Sequence, residues 1–172
     1  MDYKKIIAIR ENWPKKGISF KDITPLLANA KAFKEANAEM AKPFKNKKIT
    51  KVLCADARGF LFGSVVAQIL NAGVVVSRKP GKLPYVGVSI SYDLEYGSNT
   101  LEIAPKMISK KDRVLIVDDL LATGGSAKAM TKMVKKIGAK LVGYSFLIEL
   151  TDLKARKILE PVETHSLVKY KI

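Results

Sequence analysis

The stretch VLIVDDLLATGGSA, residues 114–127, sets two adjacent carboxylates, Asp118 and Asp119, behind four apolar residues and ahead of a Thr-Gly-Gly-Ser turn. Like charges repel, and a carboxylate loses hydration on burial, so a pair at the end of an apolar strand needs a chemical reason. Side by side, the two can accept hydrogen bonds from vicinal hydroxyls, hold a divalent cation, or favour a neighbouring carbocationic centre. Beyond them, Gly124 and Gly125 allow backbone conformations and a close approach that side chains would block. Thr123 and Ser126 add hydroxyls beside the free N–H groups of a helix start.

A nest of that kind takes a phosphate. Alone, TGGS also fits an ordinary strand-to-helix turn with serine as the N-cap. The paired acids tip the reading towards a ligand with a phosphate on one side and a diol on the other, the description of a ribose 5-phosphate. Neither G-x-x-x-x-G-K-[ST] nor G-x-G-x-x-G occurs, which disfavours nucleoside triphosphate and dinucleotide sites.

The elements that must hold these groups follow from periodicity. Continuous apolar runs at 51–57 (KVLCADA), 73–79 (GVVVSRK), 114–117 and 141–150 (LVGYSFLIEL) read as buried strands, with a last strand near 165–170. Between them, helical spacing appears from Ala30 to Phe44, ending at Pro43, and from Phe60 to Leu70, apolar on nearly every face. A further stripe of Ala127, Met130, Met133, Val134 and Ile137 lies opposite Lys128, Lys132, Lys135 and Lys136. A helix opened by Thr151 closes before Pro161. Residues 86–92 alternate and TLEIA resumes after a turn-prone segment, a hairpin signature. Residues 3–12 fit a short helix, and 13–25 an ordered loop. Alternating strands and helices predict an α/β fold with a mainly parallel central sheet flanked by helices, in one domain spanning 1–172.

Composition narrows the partners. The 31 basic residues against 16 acidic ones give +15, and their scatter along the chain fits a solvated surface, steering of a polyanionic small molecule, or, as a minority option, nucleic acid. A lone cysteine, Cys54, excludes an internal disulfide, and a lone histidine, His165, excludes a Cys/His zinc cluster. Both read as packing residues. The absence of long apolar runs and of a signal-peptide pattern at the N-terminus points to a cytoplasmic protein with no membrane segment.

VLIVDDLLATGGSA resembles the phosphoribosyl-diphosphate signature of the type I phosphoribosyltransferases. KGISFKDITPLL (16–27), ADARGFLFG (55–63), RKPGKLP (78–84) and YDLEYGSNTLEI (92–103) are similar, in order and spacing, to the adenine-specific branch of that family. The resemblance implies the type I fold with a hood loop and a flexible catalytic hairpin. It implies transfer of a ribosyl 5-phosphate from 5-phosphoribosyl 1-diphosphate to a purine, with release of pyrophosphate. Mg²⁺ is carried mainly by the diphosphate and not by protein side chains, and a homodimer is expected. Adenine is the expected base; hypoxanthine, guanine or xanthine, and a regulatory nucleic-acid binder on the same fold, stay as alternatives.

Residue by residue, the resemblance assigns Ala122, Thr123, Gly124, Gly125 and Ser126 to the 5-phosphate and Asp118 and Asp119 to the ribose and its developing positive charge. Arg58, Arg78, Lys79 and Lys82 fall to the diphosphate. Glu95 and Tyr96 fall to the closing hairpin, with Glu95 handling the purine proton. Ser19, Phe20 and Lys21 line the base, Phe20 by stacking. Lys21 stands where the family usually carries arginine, Tyr85 where glycine is common and Asn99 where an acid is frequent. Lysine lacks arginine's planar fork, so base preference is less well defined than the reaction.

Overall fold

The computed structural model describes residues 1–93 and 98–171. Strands β3 (Lys51–Ala55), β4 (Gly73–Ser77), β7 (Arg113–Leu121), β8 (Lys140–Leu150) and β9 (Thr164–Tyr170) form one parallel sheet in the order β4-β3-β7-β8-β9. Two antiparallel hairpins stand apart from it: β1 (Ala8–Glu11) with β2 (Ser19–Asp22), and β5 (Val88–Asp93) with β6 (Ser98–Ile103). The helices are α1 (Thr24–Ala28), α2 (Ala30–Ala41), α3 (Arg58–Ile69), α4 (Gly125–Ile137) and α5 (Arg156–Leu159).

β7 occupies the middle of the sheet, covered on both faces, which is why Val114 to Val117 form an unbroken apolar run and are fully buried. Leu115 and Val117 enter a core with Met40 of α2 and Phe62 and Val66 of α3. Val114 and Ile116 enter the opposite one, with Met130 and Met133 of α4 and Leu101 and Ile103 of β6. The chain leaves β3 through α3 towards one sheet edge, and leaves β7 through α4 towards the other. The connections after β3 and β7 therefore part at the carboxyl end of the sheet, where a crevice for a ligand forms between them.

The expected strands, the three long helices and the second hairpin are all present, with three corrections. Residues 3–12 are not a helix and 13–25 are not all loop: a 3₁₀ turn at Tyr3–Lys5 gives way to β1, which pairs Ala8 to Asp22 and Glu11 to Ser19 of β2, and α1 begins at Thr24. The apolar set Ile6, Ile7, Ile9 is too short to distinguish the two periods, whereas the turn chemistry was decisive. Asn12 sits at φ 60 and its side chain accepts the Gly17 N–H at 2.9 Å. The helix expected from Thr151 is broken into a 3₁₀ turn, Thr151–Leu153, and the short α5, because Lys154 between them adopts φ 52. Finally, β7 does not stop at Val117: it stays paired with β8 through Leu121, so the two aspartates lie within a strand and not after one.

α5 is clamped by one charged fork. Arg156 donates Nε and Nη2 to the two oxygens of Glu149, each at 2.7 Å, and Nη1 to the Thr164 carbonyl at 2.6 Å. Glu149 is buried at 5% exposure; desolvation opposes its charge, but the bonds from Arg156 and Ser166 outweigh that and hold its pKa below the usual value. Removing the arginine would strand a buried carboxylate. Arg156→Ala is expected to cost roughly 2–3 kcal/mol in urea unfolding, with Arg156→Lys restoring only part of it for want of the bidentate fork.

Candidate active site

The phosphate-type turn is built as its residues suggest. Gly124 is in the left-handed region at φ 82, and α4 starts at Gly125 with no side-chain cap, so the first N–H groups of the helix are free for a ligand. Ser126 is therefore not an N-cap. A Cβ on Gly124 would lie 2.8 Å from Ile158 Cδ1 of α5, and one on Gly125 would lie 3.1 Å from the ring of Tyr92. The turn is thus wedged between α5 and the β5–β6 hairpin.

At the end of β7 the Asp119 N–H donates to Asp118 Oδ1 at 2.9 Å, and Asp119 Oδ2 pairs with Arg58 Nε at 3.0 Å. Arg58 opens α3 directly after the β3 loop, so this ion pair spans the crevice between the two strand ends. Desolvation, then the neighbouring Asp119 charge, pushes the Asp118 carboxyl well above the ordinary carboxylate range. Asp119 is also raised by burial, with Arg58 pulling it back. Gly59 leaves room for this group: a Cβ there would come within 2.7 Å of Asp118 Oδ1.

The first hairpin closes over the same crevice. The Arg58 guanidinium lies 5.6 Å from the Phe20 ring centroid, and Trp13 meets that ring edge-on at 4.5 Å. A cavity of about 100 Å³ runs between β2 and the ends of β7 and β8, bounded by Ser19, Phe20, Asp119, Leu120 and Ile148. A larger cleft of about 800 Å³ lies along Ile9, Trp13, Phe20, Leu27 and Arg58. Of the two, the smaller one reaches Asp119, and Arg58 borders both.

Two expected site residues, Lys21 and Arg78, are also tied within the protein, although Lys21, like Ser19, still borders the smaller cavity. The Lys21 ammonium is nearly buried, donating to Ser19 Oγ at 2.6 Å and lying 5.1 Å over the Tyr170 ring, so it braces the hairpin from beneath. Ser19 in turn donates to Glu11 Oε1 at 2.7 Å. Arg78 donates Nε to Asp56 Oδ2 at 3.1 Å and Nη1 to the Lys82 carbonyl at 3.3 Å, tying the 78–84 loop to the end of β3. Lys79 and Lys82 are left exposed, apart from the aspartates. Glu95 and Tyr96 lie outside the described residues, while Tyr85 projects into solvent at 74% exposure. Cys54 is buried with its thiol pushed up to about 12 by desolvation, and His165 is half-buried on β9 with its pKa lowered by burial, so neither is poised for chemistry.

Asp56, Trp13 and Tyr92 are the contacts that sequence reasoning missed. Asp56 stands two residues before Arg58 in ADARGF, a visible signal. Trp13 and Tyr92 carry none beyond their aromatic character, because their neighbours come from other elements.

A parallel sheet with a crevice at its switch point, an acidic pair and a glycine-rich phosphate turn define a class. Residues 22–166 match the phosphoribosyl transferase domain, and the chain belongs to that family. Over its full length it is 51% identical to all of the adenine phosphoribosyltransferase of Clostridium kluyveri. The crystal structure of adenine phosphoribosyltransferase from Thermoanaerobacter pseudethanolicus is 45% identical, superposes with a TM-score of 0.94 and covers 98% of each chain. The Saccharomyces cerevisiae enzyme, solved with adenine and an iminoaltritol bisphosphate, is 36% identical with a TM-score of 0.89 over 96% of each chain.

The raised Asp118 carboxyl makes the site a source of instability in the free protein. The folded state holds its proton above the pH at which the unfolded chain releases it. Stability is therefore lost as pH rises from the ordinary carboxylate value through the raised one. Asp118→Asn keeps the acceptor for the Asp119 N–H and removes the charge. It is expected to raise the melting temperature of the free protein at about pH 7 by roughly 2 °C or more and to leave it unchanged near about pH 3. Calorimetry at the two pH values checks this.

Proposed function

We propose that this protein is an adenine phosphoribosyltransferase, joining adenine to the ribosyl 5-phosphate of 5-phosphoribosyl 1-diphosphate to give AMP and pyrophosphate, a purine-salvage reaction. The single observation that carries the reading is the crevice itself: the Asp118–Asp119 pair on β7, the uncapped start of α4 just after that strand, and a cavity bounded by Phe20 and Asp119. Full-length similarity to adenine phosphoribosyltransferases supports the choice of base.

In this reading the N–H groups of Gly124 to Ser126 and the Ser126 hydroxyl hold the 5-phosphate, with Ala122 and Thr123 shaping the turn. Asp118 and Asp119 accept from the ribose hydroxyls. As the bond from C1 to the diphosphate breaks, C1 gains positive character, which Asp119, once freed from Arg58, and the ionised form of Asp118 stabilise. Arg58 is placed to leave Asp119 for the diphosphate, with Lys79 and Lys82 adding charge from the loop that Arg78 braces. Adenine lies between Phe20 and Leu120, held by the backbone around Ser19, while Lys21 fixes that backbone from behind. Glu95 takes or relays the proton of the attacking ring nitrogen, and Tyr96 closes with it.

Mg²⁺ belongs to the reading as a cation brought in with the diphosphate, where it would offset the charge of the leaving group. In this reading the donor's own oxygens would be its main ligands, because Mg²⁺ is commonly held through substrate phosphates. The chain acts as a homodimer in the cytoplasm. Support for the dimer comes from an apolar surface on α3 and the edge strand β4, where Leu61, Ile69, Val74 and Val76 are each more than one-third exposed.

Incubation with the donor, Mg²⁺ and each purine in turn should form nucleotide from adenine at least about tenfold faster than from hypoxanthine, guanine or xanthine. Equal rates with another base would remove the adenine assignment. Asp119→Asn should fold normally and lower kcat by about 100-fold or more, the scale of a lost transition-state charge contact. Retention of near-native turnover would dismiss the proposed role of the pair.

A further inference from the structure

The β5–β6 hairpin meets the phosphate turn through one residue the reaction scheme above does not use. Along β5, Val88, Ile90 and Tyr92 alternate onto the face packed against the α4 core, while Ser91 on the opposite face bonds Thr100 across the hairpin at 2.9 Å. This fixes Tyr92 at the mouth of the turn. Its ring covers the bare Cα of Gly125, and its hydroxyl lies 3.1 Å from Ser126 Oγ.

A serine hydroxyl has a single proton. If Ser126 donates it to Tyr92, none remains for a phosphate. If Tyr92 donates to Ser126, the serine proton is free to point into the nest formed by the uncapped start of α4. A phenol is the stronger acid of the two and the better donor, and a phosphate in the nest rewards that same direction, because its oxygens only accept. We infer that Tyr92 is a positioning residue for the 5-phosphate: its O–H donates to Ser126 Oγ and so aims the Ser126 proton at the ligand.

The inference rests on the assignment of the 124–126 turn to the 5-phosphate, and the variants separate the two. Tyr92→Phe keeps the ring against Gly125 and removes only the hydroxyl, so the fold is retained, as an unchanged unfolding midpoint would verify. With Mg²⁺ present, it should raise KM for 5-phosphoribosyl 1-diphosphate by about fivefold, roughly the effect of one hydrogen bond. KM for adenine and kcat should move less than about twofold. AMP, which carries the 5-phosphate, should inhibit more weakly by a similar factor, whereas inhibition by pyrophosphate, which lacks it, should not change. Ser126→Ala should show the same pattern, and Tyr92→Phe/Ser126→Ala should be no worse than Ser126→Ala alone, since the tyrosine acts through the serine. A raised donor KM in Ser126→Ala with none in Tyr92→Phe, or additive effects in the double variant, would overturn the inference and leave the phosphate assignment standing. No change in either single variant would overturn both.

Discussion

Two neighbouring carboxylates inside the central strand of a parallel sheet set the terms for the rest of the structure. Each lies close to protein on most sides, the charge of one raises the pKa of the other, and β7 cannot swing them out because it stays paired with β8 through Leu121. Charge that is this poorly solvated persists only where a partner compensates it. Arg58 does so in part, from the first turn of α3 and across the gap between two strand ends. The sheet order makes that possible: β3 and β7 are neighbours whose helices depart in opposite directions, so the arginine of one strand's loop faces the acids of the other.

Much of the remaining architecture holds the walls of that crevice. α5, only four residues long, would be marginal alone, yet it is fixed by the Arg156–Glu149 fork and presents Ile158 and Ala155 to Gly124. Lys21 does similar work for the first hairpin, its ammonium held between Ser19 and the Tyr170 ring, which also lies under Lys4. These are polar contacts between segments distant in sequence. They give two walls of the crevice, the first hairpin and the 124–126 turn, a rigid backing, which a site relying on orientation needs.

The parallel sheet and the phosphate turn were legible in the sequence because both depend on local pattern. Apolar runs such as Val114 to Val117 report double burial, the α4 stripe reports one helical face, and TGGS reports a backbone that only glycine tolerates. What stayed hidden depends on which distant element arrives. Ile6, Ile7 and Ile9 fit a helix as well as a strand until β2 pairs with them. The contacts of Lys21 with the Tyr170 ring and of Arg78 with Asp56 stayed hidden because a long basic side chain beside a site can point inward or back into its own loop, and the positions of Tyr170 and Asp56 are set by other elements. Tyr92 read as a hairpin residue, since nothing in SISYD announces the glycine its ring would cover.

The Arg58–Asp119 pair also changes what affinity means for this crevice. An anion that recruits Arg58 must first dissolve an existing salt link, and the aspartate left behind needs a new donor, such as a sugar hydroxyl. Binding at this point is an exchange of counter-ions and not a simple gain. A ligand bearing both an anionic group and hydroxyls satisfies each half of the severed pair, whereas one bearing only the anion leaves a buried acid unmatched. On the proposed function, that exchange would favour a sugar diphosphate over free inorganic anions through a contact that exists before either arrives.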